Sequence, residues 1–322
     1  MKYAIAATLS LVLSSPAFAQ KNVYTGGPQG AYFNTFCPPI PVALKAQDFP
    51  NFRCATSKGT LENIDLVSAN PKNIALVQLD VFAREKEKNP DKFKRLVVVR
   101  QVAAEGIWFV TSNSAINDFG DILGRSRRIP FIVADGGSKA TFEFMQSADP
   151  EGLGRARNIK VAKDATTVIN EVSTSQDGAI GAFVQFADPE NANIKLIQDK
   201  GLKIIPVLSR ELLAKKADGV DVYQVQSFTL KSGYFSGKSA MTAATPIAII
   251  TGSPDAFTDR NDQDDQKDLI RVIQQMPDSA LLPQEGRIAG LLKSVQRIGG
   301  KALEEALAAV DAAKKKAETL GQ

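Results

Sequence analysis

Residues 52–67 read FRCATSKGTLENIDLV. A short β-rich run, Phe52–Thr56, passes through Ser57, Lys58, Gly59 and Thr60 into a stretch with the apolar periodicity of an amphipathic helix. Strand, small-residue turn and helix make up half of a βαβ unit, and the same order recurs twice. Asn22–Thr25 runs into TGGPQGAYF at 25–33, and Arg128–Val133 runs into ADGGSKATFEF at 134–144. Further strands are expected over Ile74–Gln78, Arg95–Arg100, Ile107–Thr111, Ile159–Val161, Ala179–Phe183, Lys203–Pro206, Val222–Thr229 and Thr245–Thr251. Helices are expected over Gly30–Cys37, Thr60–Ser68, Val81–Glu87, Ala140–Gln146, Ala165–Ser173 and Ser209–Lys216. Strands alternating with helices predict an α/β fold with a mostly parallel sheet.

The end of the chain reads differently. Asp264–Met276 and Pro283–Leu320 are almost wholly helical in pattern and rich in strong helix formers. A helix packed on the outside of a sheet accounts for them. The acidic DRNDQDDQKD, 259–268, lacks the mid-loop glycine and terminal glutamate of a calcium loop. It reads instead as a helix start with acidic residues favoured by the dipole.

The 322 residues allow two ordinary domains, and 44% hydrophobic with 23% charged residues is a globular composition. A net charge of +4, with basic residues scattered, points away from nucleic acid. The chain holds no histidine, which excludes His-based triads, imidazole metal sites and His acid–base chemistry.

Lys2, the apolar run Tyr3–Leu13 and the small-x-small Ala17-Phe18-Ala19 form a secretory signal pattern over residues 1–19. The run is too short for a permanent membrane span, which takes about 20 apolar residues. The mature chain is expected to begin near Gln20 in a bacterial periplasm, and a buried N-terminal helix is the competing reading. An oxidising compartment favours pairing Cys37 with Cys54, and a loop of that length contributes about 3 kcal/mol in the chain-entropy model. Two separate buried thiols are the alternative.

The glycines of TGGPQGAYF do not make a dinucleotide fingerprint, because Pro28 occupies the middle-glycine place. Gly26 and Gly27 permit positive φ and close backbone approach, and the helix expected from Gly30 offers free N–H groups to an anion. Gly233 to Ser239 falls one residue short of a P-loop spacing and leads into a β-rich run. The three β–α junctions place small residues, hydroxyls and Lys58 and Lys139 at strand carboxyl ends. Ligands of open α/β sheets bind there, so the three converge on one carboxylate-bearing ligand.

In order along the chain, YTGGPQGAYF, TSKGTLENIDLV, IALVQLDVF, VADGGSKATFEF, DGAIGAFVQFADP and FTLKSGYFSGKSAMTAATPIAIITGSP resemble the TAXI-type solute receptors of TRAP transporters, over residues 22 to 255. The resemblance implies the type II periplasmic-binding-protein fold, two α/β lobes around a ligand cleft, here with a helical C-terminal extension. It implies capture of a small organic anion, a carboxylate or amino acid, and its delivery to a membrane permease of TRAP type. Position by position it implies ligand contacts from Thr25, Gly27, Gln29, Gly30 and Tyr32, then from Ser57, Gly59, Thr60 and Asn63. Gln78 and Asp80 follow, then Ser138, Lys139, Ala140 and Thr141, and finally Phe183, Gln185 and Phe186. Lys58 and the Lys139 of GSKAT depart from the family pattern by adding a long cation, which either reads ligand charge or reaches into solvent.

Lobe 1 is expected to comprise 20–104 plus 226–322, and lobe 2 residues 105–225, closing on a hinge. No catalytic residue, cofactor or metal is expected, nor nucleic-acid or membrane embedding, and the chain is expected to be a monomer. Trp108 is expected to pack in the core. Two competitors stand beside the receptor reading. One is a periplasmic enzyme of the same fold using Asp80, Glu62 or Asp135. The other is a ligand-sensing partner of a membrane sensor kinase.

Overall fold

The first three strands, β1 (Lys21–Tyr24), β2 (Phe52–Ala55) and β3 (Ile74–Gln78), are parallel and lie in the order β2-β1-β3. β3 reads IALVQ and is buried throughout, as a central parallel strand covered on both faces must be. The computed structural model describes residues 20–186, 188, 190–231, 238–294 and 296–319. The expected signal segment, 1–19, and most of the near P-loop stretch Gly233–Ser239 lie outside the described residues.

β4 (Leu96–Thr111) is one 16-residue strand, where the sequence suggested two with a break after Arg100. It continues because the residues between, Gln101–Gly106, pair with a second long strand, β10 (Lys238–Gly252). β5 (Phe131–Ala134), β6 (Ile159–Ala162) and β7 (Ile180–Gln185) form the far half of the sheet, and β8 (Lys203–Ile205) pairs with the end of β4. β9 (Gln224–Lys231) runs antiparallel to the first half of β10. The sheet order is β2-β1-β3-β10-β4-β7-β5-β6. A returning strand wedged antiparallel between β3 and β4 gives the type II periplasmic-binding-protein fold, with an α/β lobe at each end of the two long strands.

Pro246 marks the changeover in β10. Residues up to Ala244 pair with β9, and residues from Ile247 pair with β3. Pro246 stays in register with Ala104 of β4, while on its other side neither β9 nor β3 pairs with it, and a proline, which has no N–H, is tolerated at such a break.

The helices cover both faces. α1 (Pro39–Lys45), α2 (Thr60–Ala69), α3 (Leu79–Lys88) and α8 (Arg260–Gln275) belong to the first lobe. α4 (Phe119–Arg125), α5 (Gly137–Ala148), α6 (Ala165–Thr174) and α7 (Ala192–Asp199) belong to the second. Val23, Phe36, Ile40, Ile249 and Ile273 form one core, and Trp108, Val168, Phe183 and Ile197 another. A third cluster runs through both lobes on one face, from Ile64 and Phe82 to Phe131 and Phe144. Trp108 is fully buried against Phe228, and its N–H donates to the Gln185 carbonyl.

Two local expectations are corrected. The helix expected over Gly30–Cys37 is a single π-type turn, Tyr32–Phe36, and Pro39 then starts α1 afresh at a position that suits proline. Pro283–Leu320 is not continuous helix: a short strand, Gln296–Arg297, pairs with β9 and interrupts it. The last helix, α9 (Gly300–Thr319), packs on α4. Gly120 and Gly124 of α4 allow this approach, since a Cβ at Gly120 would lie 2.2 Å from the Val310 carbonyl oxygen. Asp259 caps α8 by accepting from the Asn261 and Asp262 N–H groups, so the acidic run there is a helix start. Cys37 and Cys54 are joined in a disulfide that ties the first turn to β2.

Candidate functional site

Between the lobes lies a cleft of about 310 Å³. Its first wall is built at the carboxyl ends of β1 and β2. The Thr25 hydroxyl and N–H both reach the Ala55 carbonyl, and the Ser57 N–H donates to the Gly26 carbonyl, so the two loops are tied together. Gly30 closes a tight turn onto the Gly27 carbonyl at 2.9 Å. Neither Gly26 nor Gly27 has positive φ, contrary to the use expected of them. The positive φ occurs at Gly59 (112°) and Gly136 (72°), the residues that introduce α2 and α5 from opposite lobes. An L side chain is disfavoured at both.

These two helix starts are bare. No side chain caps α2 or α5, and none caps α1 or α3, whereas α4, α6, α7 and α8 are capped by Asp118, Asp164, Asn191 and Asp259. Uncapped first-turn N–H groups at the positive end of a helix attract an anion. Lys58 lies on the rim, exposed, while its own N–H donates to Glu62 Oε2.

The cleft floor comes from the changeover region of the long strands. Glu105 sits opposite Thr245 on β10, one residue before β4 begins to pair with β7. Its Oε2 accepts from the Tyr32 hydroxyl at 2.7 Å, and the Gln78 side chain also bonds it. Burial pushes the Glu105 carboxyl up to about 7, opposed by the Tyr32 hydrogen bond and assisted by the charge of Asp80. Burial likewise pushes the Tyr32 phenol well above its ordinary value, so it remains a donor.

Of the residues expected at the site, Thr25, Gly30, Tyr32, Lys58, Gly59, Thr60, Gln78 and Ser138 line this cleft. Ser138 also accepts from the Val184 N–H. The others stand elsewhere or behind. Gly27 and Gln29 are exposed on the loop, and Ser57 accepts from the Gly59 N–H. Asn63 is buried and donates to the Thr25 and Leu76 carbonyls, clamping β1 to β3. Lys139 is exposed outside the cleft and Ala140 is core.

Asp80 lies beneath the floor, fully buried. It accepts from the Val81 N–H, the Thr245 hydroxyl at 2.7 Å and the Tyr223 hydroxyl at 3.2 Å. Burial raises its pKa, and these groups together with the Thr141 hydroxyl across the interface oppose the rise. Phe183 belongs to the second-lobe core, and the Gln185 side chain turns to Asn193. Phe186 packs edge-on against Phe36 and lines a separate cavity of about 310 Å³ with Gln101, Gln226 and Arg297. Glu62 is occupied by the Lys58 N–H and Asp135 is exposed, so neither carboxylate lines the cleft.

Sequence reasoning missed Ala31, Leu61, Glu105 and Val184, all of which line the cleft; Gly136 and Gly137 of the third junction line it too. The one signal for Glu105 was a lone charge within the otherwise apolar stretch VAAEGIWFV. Among the described residues no group of potential metal ligands is brought together, and no helix is long and apolar enough to cross a membrane.

No family model matches the sequence, and no curated protein matches it. Solved structures of similar course exist. A TctC solute-binding protein from Polaromonas is 13% identical, with 94% of this chain and 99% of that one covered and a TM-score of 0.47. The Candida albicans CA3427 gene product, described as having the generic periplasmic-binding-protein fold, is 14% identical, covering 94% and 91%, with a TM-score of 0.44. The GluR0 ligand-binding core in complex with L-glutamate is 10% identical, covering 92% and 99%, with a TM-score of 0.40. Likeness of this degree concerns the course of the chain, and no ligand or partner passes from those proteins to this one.

Proposed function

We propose that this protein is a periplasmic solute receptor that captures a small organic anion, a carboxylate or an amino acid, between its lobes and delivers it to a membrane permease of TRAP type. The observation that carries the reading is the pair of bare helix starts, α2 from one lobe and α5 from the other, both introduced by positive-φ glycines and both opening on the same cleft. α1 and α3 also lack side-chain caps; what sets α2 and α5 apart is that a positive-φ glycine introduces each and that the first residues of both line one cleft. Lys58 on the rim adds a favourable, salt-screened charge. Closure of the lobes on the ligand then sets the open–closed equilibrium that a permease reads.

Thermal-shift screening of organic acids against residues 20–322 tests this. A carboxylate-bearing compound is expected to raise the melting temperature and to be recovered unchanged. Lys58→Ala should weaken the best acid about threefold to tenfold at low salt, as a half-screened charge contact does. Lys139→Ala should leave it unaltered, because that side chain lies outside the cleft. The reading fails if no carboxylate shifts the transition.

A further inference from the structure

The geometry points to Glu105 as the group that reads a cationic nitrogen on the solute, so that the ligand is an amine-bearing acid rather than a simple organic anion. This rests on the receptor reading and narrows it. Among the residues lining the cleft, Glu105 is the one carboxylate and Lys58 the one cation. They stand apart: Glu105 on the half-buried floor, Lys58 exposed at the rim beside the α2 start.

The surroundings of Glu105 explain why it needs a cation. The Tyr32 turn brings a phenol that donates to Oε2, and the end of β3 brings the Gln78 amide. α3 brings Asp80, a second carboxylate, already satisfied by Thr245, Tyr223 and the Val81 N–H. The start of α5 brings Gly137 and Ser138, and the start of α2 brings Lys58. Glu105 forms no ion pair among the described residues. A carboxylate offers about four acceptor sites, and the Tyr32 and Gln78 donors do not fill them.

A half-buried acid over a fully buried one repels a plain anion arriving in the cleft, and attracts an ammonium. The bare helix starts above it suit the carboxylate of the same molecule. One solute answers both ends: negative at the helix starts, positive at the floor. The raised pKa supports this, because a group near 7 loses its proton to solvent when a cation sits beside it and keeps it beside an anion.

The test is calorimetry on residues 20–322 with matched sets: alanine, leucine, phenylalanine, glutamate and glutamine, each beside its 2-hydroxy and 2-oxo counterpart. The best amino acid is expected to bind at least 30-fold tighter than its oxo and hydroxy forms at pH 8, an effect of the size of one desolvated charge contact. Glu105→Gln should weaken that amino acid at least 30-fold and leave the hydroxy acid within about threefold. Wild-type binding gives a check that needs no variant to fold. Affinity for the amino acid should fall about 50-fold between pH 7 and pH 5, as the ionised fraction of a carboxyl near 7 does, while affinity for an oxo acid holds or rises. Oxo or hydroxy acids binding as tightly as the amino acid, or an amino acid whose affinity is flat over that pH range, overturns the assignment and leaves the receptor standing. If no member of any set binds, the receptor reading falls too, and this inference with it.

Discussion

Glu105 illustrates how one residue acquires its chemistry from position. In the sequence it is a single charge in an apolar run, with nothing to separate a surface glutamate from a buried one. Strand pairing turns it toward the cleft opposite Thr245, and burial against Tyr32, Gln78 and Asp80 raises its pKa to about 7. The ordinary value is 4.5, so between 4.5 and 7 the folded protein binds more protons than the unfolded chain. Stability from this group is therefore present at low pH and lost as pH rises through 7. Glu105→Gln, which does not titrate, should make the ligand-free protein about 3 kcal/mol more stable than wild type at pH 8. The gain should vanish by pH 4. Urea unfolding at the two pH values measures it, and an equal effect at both would show that the carboxyl is not buried as described. Asp80 shows the opposite case. Its place after β3 suggested a ligand contact, but its hydrogen bonds make it a brace beneath the floor.

At the scale of elements, the β–α junctions were legible because their grammar is local. A β-rich run, two or three small residues and an amphipathic stretch lie within about a dozen positions, and φ preference at glycine is a property of the residue itself. Gly59 and Gly136 are therefore where the sequence put helix starts, although the same logic misassigned Gly26 and Gly27. What the local pattern could not supply was the partner of each element. α9 reads as a helix from its composition, yet only Gly120 and Gly124 on a helix nearly 200 positions earlier admit it. In an exposed helix Gly→Ala stabilises by about 1 kcal/mol. Gly120→Ala should do the reverse and destabilise by about 3 kcal/mol, because its Cβ would meet the Val310 carbonyl and the Lys314 N–H. Denaturation midpoints decide the sign, and solute affinity should be unaffected since α9 lies away from the cleft.

The whole molecule is held at the interface between α3 and α5 as well as by the two long strands β4 and β10. Arg84 of α3 pairs with Glu143 of α5, Gln78 abuts Gly137, and the Thr141 hydroxyl faces Asp80. The Arg84–Glu143 pair is partly exposed and worth up to about 1 kcal/mol. Arg84→Ala is thus expected to lower folding stability by up to about 1 kcal/mol, which urea unfolding midpoints would read. An unchanged midpoint would show that the pair contributes nothing to the fold. The sequence by itself determined the alternation of strands and helices, the disulfide candidates and the small-residue junctions, since each depends on neighbours along the chain. The tertiary structure decided that β4 runs unbroken between the lobes, that α9 packs on α4 and that Glu105 faces the cleft. Those outcomes depend on pairings between residues a hundred or more positions apart, where burial and strand register, not local propensity, set the lowest free energy.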